Sequence, residues 1–491
     1  MEQERKASHD MKNDFNGKRI TIVGLARSGV GAANLLKNLG ADVTVTDKKL
    51  HDEVRRFLDK LDDGVRVALG GHPDELFTDV DLIVVSPGVP TDIKPLEEAR
   101  KKGIKIIGEL ELAFQILSLM SVQPAEFLAV TGTNGKSTTT ALLYEILKNS
   151  GLNVIVGGNI GNALTDEISN FKFQISNFNC IVAEVSSFQL ETIDAFRPNG
   201  AAILNITPDH LDRYNSMSDY INAKCRIFMN QNKGDFLVLN ADDPATEEIM
   251  QRVKSQHSTI KRIPEIFYFS RKREVEGVYL QDNVIKFNLP ESKMQNLKFK
   301  IQNMPSTFNL EPSTFLIKGV HNIENAMAAS LMALLSGCRP DSIANTLKNF
   351  SGLEHRLEFV REIDGVKFIN DSKGTNVGAV LKSLESFDEP IVLIAGGRDK
   401  DSDFTIFRQL IKEKVKALVL IGEAKEKIRK AVGDSIKEVF MEDDFKAAVL
   451  KAKQAASSGD VVLLSPACAS FDMFRDFEDR GRQFKKAVME L

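Results

Sequence analysis

A lysine set between a glycine and two hydroxyl residues is the first feature of this chain that suggests chemistry. It lies in FLAVTGTNGKSTTTALLYEIL, residues 127–147. Gly132, Thr133, Asn134, Gly135, Lys136, Ser137 and Thr138 form a loop between an apolar, β-branched run and a helical pattern. Such a loop aims backbone N–H groups at an anion, and the dipole of the following helix adds to the attraction. Lys136 is placed to reach the terminal phosphates of a nucleotide, and Ser137 or Thr138 to offer a hydroxyl oxygen to Mg²⁺. The spacing departs from the usual G-x-x-x-x-G-K-[ST] pattern. Val130 stands where the first glycine belongs, so G-x-x-G-K-S is two residues short. Strand, loop and helix still come in order, which favours a nucleotide site over a plain helix cap.

Other strand ends extend the site. Glu184 closes a run in CIVAEVSSFQLE, and Asp209 and His210 follow AAILNIT. Ligands of open α/β sheets bind at the carboxyl ends of strands, so Glu184 and His210 are expected to converge with Lys136. A carboxylate and an imidazole beside a triphosphate suit a metal. Singly, Glu184 also reads as a helix-capping acid and His210 as a hydrogen-bonded structural residue. Lys224, in SDYINAKCRIF, shares a helical face with Tyr220, Ile227 and Phe228. Desolvation lowers a lysine pKa and leaves neutral amine, which reacts with CO₂ to give a carbamate, a carboxylate-like metal ligand. The alternative is a snorkelling lysine.

A second glycine turn, GLARSGVG, follows a strand and opens a helix, and Asp47 ends the next strand, 23 residues after Gly24. The pattern is Gly24-x-Ala26-x-x-Gly29, with a methyl group where a dinucleotide fingerprint has glycine for close backbone approach. A phosphorylated ligand other than NAD is therefore favoured over NAD or a purely structural turn. Lys48 and Lys49 point the same way, and Ser86-Pro87-Gly88 ends the third strand at the same crevice.

The elements that must position these residues alternate. Strands are expected at 19–24, 42–47, 81–88, 104–109, 127–132, 180–187, 201–207, 235–240, 366–371, 390–397, 416–423 and 461–466, with helical patterns between. Most lack strict alternation, as strands buried on both faces do, so the fold class is α/β with right-handed crossovers. Residues 245–315, with IFYFSR and GVYL, read as a small antiparallel appendage. A helix is expected at NIENAMAASLMALLSG, with Ile323, Met327, Leu331 and Leu334 on one face and Gly337 as its stop. After NFSGLEHR a third α/β set begins.

Composition is consistent with a multi-domain globular protein. The chain has 491 residues, 43% of them hydrophobic and 27% charged, with a net charge of −4 that argues against nucleic acid as a partner. Cys180, Cys225, Cys338 and Cys468 show no zinc-type spacing and are expected as reduced thiols. No apolar run reaches the roughly 18 residues of a membrane span. Residues 1–16 are polar, without a secretory signal, and read as a disordered leader in which Met11 offers an alternative start.

TGTNGKST, EVSSFQLE, NITPDHLDRY, the lysine in AKCRIF, HNIEN (321–325), GLEHR (352–356), NDSKGTN (370–376) and LLSPACASFDMFRDFEDRG (463–481) occur in this order. Together they resemble the Mur ligases, ATP-dependent amide-forming enzymes of peptidoglycan synthesis, from about residue 18 to the C-terminus. SSFQLE and SPACASFDMF are similar to the member that adds D-glutamate to UDP-N-acetylmuramoyl-L-alanine. The D-N-P-R-type motif of the L-lysine- or diaminopimelate-adding member is absent.

The resemblance implies three domains: a Rossmann-like UDP-binding one at 17–112, a central P-loop ATPase-like one at 113–351 and a Rossmann-like amino-acid-binding one at 352–491. It implies an acyl-phosphate route in a monomeric cytoplasmic enzyme of cell-wall synthesis, with small-molecule substrates and neither nucleic acid nor membrane as partner. Lys136 would hold the β- and γ-phosphates, Ser137 and Glu184 one Mg²⁺, and His210 with carbamylated Lys224 a second. Asn322 and Asn325 would contact adenosine, and Arg356 and Asp371 would come onto ATP, Arg356 by domain closure. Lys373, Thr375, Lys400, Ser470, Phe471 and Phe477 would surround D-glutamate. Arg27, Ser28, Lys48, Lys49, Ser86, Asn159 and Gln189 would face the UDP-muramoyl substrate. A folylpolyglutamate synthase-like ligase is the alternative enzyme, and a non-catalytic nucleotide-binding protein the alternative of another class.

Overall fold

The computed structural model describes residues 14–120, 125–170, 178–210, 213–257, 263–297, 308–317, 319–399 and 402–491. Met11, most of the expected leader, Leu211, Asp212 and Lys400 lie outside them. Two compact units divide the chain: Met1–Pro312 with Asn325–Leu347, and Ser313–Glu324 with Lys348–Leu491.

The first unit begins with a five-stranded sheet. Its strands are β1 (Arg19–Val23), β2 (Asp42–Asp47), β3 (Arg66–Leu69), β4 (Leu82–Val85) and β5 (Lys105–Gly108), in the order β3-β2-β1-β4-β5 and all parallel. Alternate residues supply separate cores. Ile20, Ile22, Val43, Val45 and Val84 join one, and Val23, Ile83 and Val85 join the other. Both faces are thus covered, which is why β4 (LIVV) reads as continuously apolar, while buried threonines take alternate positions of β1 and β2. The chain moves outward from β1 to β3 and then returns to β4, so a crevice opens at the carboxyl ends of β1 and β4. Phe15, inside the stretch expected as a leader, is buried in the larger core.

The second sheet of this unit has nine strands: β6 (Glu126–Thr131), β7 (Val154–Gly158), β8 (Cys180–Glu184), β9 (Gly200–Ile203), β10 (Phe236–Asn240), β11 (Glu265–Ser270), β12 (Gly277–Gln281), β13 (Val284–Asn288) and β14 (Asn309–Leu310). Their order is β14-β13-β12-β11-β10-β9-β6-β8-β7. Here the expected appendage needs correcting. β11 and β12 pair parallel to the strands before them, and only β12–β13 and β13–β14 are antiparallel, so β11–β14 extend the central sheet. The β11 and β12 segments are too short for their periodicity to show whether a neighbour runs parallel.

The helix Val320–Leu335 contributes its residues from Asn325 onward to this unit. Ala326 through Leu335 are all fully buried, so the expected single apolar face is an apolar surface all round. Gly337, at φ +88°, ends the helix as expected, with the N–H of Cys338 donating back to the carbonyl of Ala333.

A connecting helix, Glu109–Met120, welds the two sheets together. The Glu111 carboxylate accepts the backbone N–H groups of Asp194, Ala195 and Phe196 at 2.8–2.9 Å. One oxygen of Glu109 accepts the N–H and the hydroxyl of Thr165 at 2.8 and 2.9 Å. Phe114, Phe127 and Phe196 meet edge to face beside them. This joint fixes the carboxyl ends of the two sheets relative to one another.

The second unit holds β15 (Glu358–Ile363), β16 (Val366–Asn370), β17 (Ile391–Gly396), β18 (Val415–Ile421), β19 (Glu438–Met441) and β20 (Val461–Leu464) in the order β15-β16-β20-β17-β18-β19. Only β15 is antiparallel to its neighbour. β20 lies between β16 and β17, so the loops after these three strands share one end of the sheet.

Candidate active site

The phosphate loop runs from β6 into the helix Lys136–Asn149. Gly135 sits at φ +85°, and a Cβ there would lie 2.4 Å from Asn325 Oδ1, so both backbone and space demand glycine. Asn205, just past β9, clamps the loop. Its carbonyl accepts the Thr133 N–H, its Oδ1 accepts the Asn134 N–H, and its Nδ2 donates to the Asn134 carbonyl, at 2.8–3.0 Å. Thr139 donates its hydroxyl to Asn325 Oδ1 at 3.2 Å. The loop is therefore held from outside by Asn205 and Asn325.

Two lysines meet on one carbonyl. Lys136 Nζ and Lys224 Nζ each donate to Gly132 O at 2.9 Å. Lys224 is 1% exposed, which removes the snorkelling alternative. Burial, and then the neighbouring Lys136 charge, push its pKa well below the ordinary lysine value, which raises the share of neutral amine. Its Nζ lies 4.7 Å from the centre of the Tyr220 ring, whose hydroxyl is 3.3 Å from Thr133 Oγ1. His210, at φ +56°, also packs on Tyr220, with ring centres 6.4 Å apart, and edge-on to Phe188 at 4.8 Å. Tyr220 thus gathers His210, Lys224 and the phosphate loop.

Glu184 ends β8, beside β6. One carboxylate oxygen accepts Asn159 Nδ2 at 2.6 Å, and the other is buried with no hydrogen-bond partner. The Thr138 hydroxyl is likewise buried and unpartnered. Orphaned hard oxygen donors next to a phosphate-loop lysine fit a hard cation such as Mg²⁺, which takes carboxylate, hydroxyl and phosphate oxygens.

A cavity of about 460 Å³ lies between the five-stranded and the nine-stranded sheet of the first unit. Arg27, Ser28, Lys48, Lys49 and Ser86 line it from the five-stranded sheet, and Asn159 and Gln189 from the nine-stranded one. The expected substrate set is thus brought together. Asp47 is spent on the backbone, accepting the N–H groups of Leu25 and Lys49 at 2.6 and 2.9 Å. His72 also lines the cavity, with Nδ1 3.1 Å from Thr46 Oγ1. Burial lowers its pKa. It follows no motif, and its place is set by the loop after β3.

In the second unit Asp371 is buried, and one of its oxygens accepts the hydroxyls of Ser383 and Ser465 at 2.7 and 2.6 Å. Desolvation raises its pKa despite these bonds and the nearby Arg356 charge. Lys373 Nζ lies 5.4 Å from the centre of the Phe477 ring, and Thr375 follows in the same turn. Ser470 is buried and Phe471 is 61% exposed on the loop after β20. The backbones of Arg398 and Ala469 bridge the loops after β17 and β20 at 2.9 and 3.0 Å.

Family models match in chain order: "Mur ligase MurD-like, N-terminal domain" over residues 18–108, "Mur ligase middle domain" over 130–333 and "Mur ligase, glutamate ligase domain" over 355–468. The UDP-N-acetylmuramoylalanine--D-glutamate ligase of Pelotomaculum thermopropionicum is 44% identical over 484 residues, 98% of this chain and 99% of that one. The protein of the same name from Geotalea daltonii is 45% identical over 483 residues, 97% and 98% of the two chains. The chain belongs to the Mur ligase family. Solved structures agree with this Mur ligase in fold. UDP-N-acetylmuramate-alanine ligase from Thermotoga maritima superposes with a TM-score of 0.59 at 19% identity, over 96% of this chain and 99% of that one. MurF from Acinetobacter baumannii gives 0.57 at 15%, over 100% and 98%. The N-terminal, middle and C-terminal parts of the Mur ligase are α/β and built on parallel sheets. No described helix is long and apolar enough to cross a membrane.

Proposed function

We propose that this Mur ligase joins D-glutamate to UDP-N-acetylmuramoyl-L-alanine at the expense of ATP, in the synthesis of peptidoglycan precursors. The names of its full-length relatives support the reading. The observation that carries it is Asn159, which lines the nucleotide cavity and donates to Glu184 beside the phosphate loop. A substrate held by its UDP end between Ser28, Lys48, Lys49 and Ser86 would extend past Asn159 and Gln189 and deliver its terminal carboxylate to the γ-phosphate.

A carboxylate oxygen of the alanyl group attacks the γ-phosphorus, the bond to the β-γ bridging oxygen breaks, and ADP departs. The D-glutamate amine then attacks the acyl carbon, its proton is lost, the carbon–oxygen bond to phosphate breaks, and the amide remains. Positioning and charge neutralisation dominate such chemistry. Lys136 would lay its ammonium along the β- and γ-phosphates. Mg²⁺, when bound, would offset the repulsion between carboxylate and triphosphate. Ser137 and Glu184 would hold one ion, and His210 and Lys224, carbamylated on its neutral amine, the second. By motif position Asn322 and Asn325 are assigned to adenosine, Arg356 and Asp371 to ATP, and Lys373, Thr375, Lys400, Ser470, Phe471 and Phe477 to D-glutamate.

We read the domains as 17–112, 113–351 and 352–491, and the protein as a cytoplasmic monomer. The deciding experiment is phosphate release with purified protein. Release that requires both UDP-N-acetylmuramoyl-L-alanine and D-glutamate is expected. Equal release with folate and L-glutamate would overturn the assignment.

A further inference from the structure

Arg480, in the helix Phe477–Met489, has no exposed surface. Its Nε donates to Ser372 Oγ at 2.9 Å, its Nη2 to the Ser372 carbonyl at 2.9 Å and its Nη1 to the Cys468 carbonyl at 3.2 Å. All three acceptors are neutral, and among the described residues no carboxylate forms an ion pair with it. Burial draws its pKa down to about 10, against the opposing pull of Cys468, Asp472 and Asp371. A buried cation without a carboxylate is costly, and an apolar side chain of similar volume would pack there without that cost. Stability alone does not account for it.

What the guanidinium touches is more informative. Ser372 immediately precedes Lys373, and its hydroxyl donates onward to the Phe477 carbonyl at 2.8 Å. Cys468 stands two residues before Ser470. Gly397, at φ +133°, closes β17, and a Cβ there would lie 2.3 Å from the Ala469 carbonyl and 3.3 Å from Arg480 Nη1. One planar fork therefore bonds the turns after β16 and β20, lies beside the turn after β17, and is linked through the Ser372 hydroxyl to the start of its own helix. These segments carry the residues assigned to D-glutamate.

We propose that Arg480 is the positioning residue of the amino-acid pocket, setting the spacing between the Lys373 turn and the Ser470 turn. This rests on the assignment of D-glutamate to the second unit. Being fully buried, Arg480 acts through these turns and not on the ligand directly. Lysine, a point donor on a flexible stem, cannot span Ser372 and Cys468 together.

The test measures steady-state kinetics for all three substrates in the full-length protein. Arg480→Lys is expected to raise the KM for D-glutamate about tenfold, as the loss of one or two buried hydrogen bonds gives, with the KM for ATP and for the UDP substrate within about twofold. Arg480→Ala should regain part of its D-glutamate affinity when guanidinium ion is added at sub-denaturing concentration. A purely structural role would lower kcat with the folded fraction and leave all three KM values alike, and that result overturns the proposal. Should Arg480→Ala fail to fold, Arg480→Lys decides. Lys373→Ala separates the two levels. If it leaves the KM for D-glutamate unchanged, the assignment of the pocket fails. If it raises that KM while Arg480→Lys does not, only the role of Arg480 falls.

Discussion

Replacing Glu109 by glutamine should make this protein less sensitive to alkaline pH. Glu109 is fully buried at the joint between the two sheets of the first unit. One oxygen is taken by Thr165 and the other has no partner. Desolvation raises its pKa from 4.5 to about 7. The folded chain therefore holds this proton more tightly than the unfolded chain does. Stability falls as pH rises from 4.5, at up to about 1.4 kcal/mol per pH unit, and levels off above the folded value. Between pH 5.5 and 8.5 the wild type should lose about 2 kcal/mol from this group alone. Glutamine keeps the acceptor for Thr165 and cannot ionise. Its amide nitrogen takes the place of an oxygen that has no partner, and left unsatisfied would cost about 1–3 kcal/mol, a cost that does not vary with pH. The informative quantity is the change with pH in the difference between variant and wild type. The chain has no tryptophan, so urea unfolding would be followed by far-ultraviolet circular dichroism at pH 5.5, 7.0 and 8.5. A difference that stays constant within about 0.5 kcal/mol would refute the reasoning.

Lys224→Ala should leave under about 1% of activity, as loss of an interaction made chiefly in the transition state does, and short added carboxylates should restore part of it. Retained activity without such rescue would remove Lys224 from the mechanism. Gly135→Ala forces a left-handed backbone on alanine and a contact with Asn325 Oδ1. It should weaken ATP binding by about tenfold or more, and wild-type affinity in a nucleotide titration would contradict the reading of the loop. Arg356→Ala should lower kcat by more than it weakens ATP binding, and an unchanged kcat would count against its assignment.

The legible parts of the site were those whose chemistry sits in one contiguous stretch. The phosphate loop, Glu184 at a strand end and the Lys48–Lys49 pair each carry residue type and local position together, and the sheet then brings them to one edge. Lys224 needed burial to become more than a surface lysine, and only packing supplies burial. Asn205, Tyr220, His72 and Arg480 were not legible, because each acts through a partner far away in sequence. Asn205 reaches the loop because β9 pairs with β6, a register that no local pattern encodes. The edge strands β3, β7 and β19 escaped notice because they are short and only partly buried. Residues 265–310 were misread because short strands show neither the direction nor the identity of their neighbours.

The helix whose residues Ala326–Leu335 are buried in the first unit has a consequence for biosynthesis. Its residues Ala326–Leu335 have no solvent face, Asn325 completes the cradle of the phosphate loop, and Ser336 donates to Glu126 at the start of β6. A nascent chain that has emerged only as far as β14 holds every strand of the nine-stranded sheet but lacks this buried helix. The apolar residues that pack on this helix stay partly open until about 25 more residues have left the ribosome, some seconds at ordinary elongation rates. The packing of Asn325 against Gly135 is thus completed late in translation. Synthesis that stalls between β14 and this helix would yield a fragment with exposed apolar surface, suited to chaperone capture.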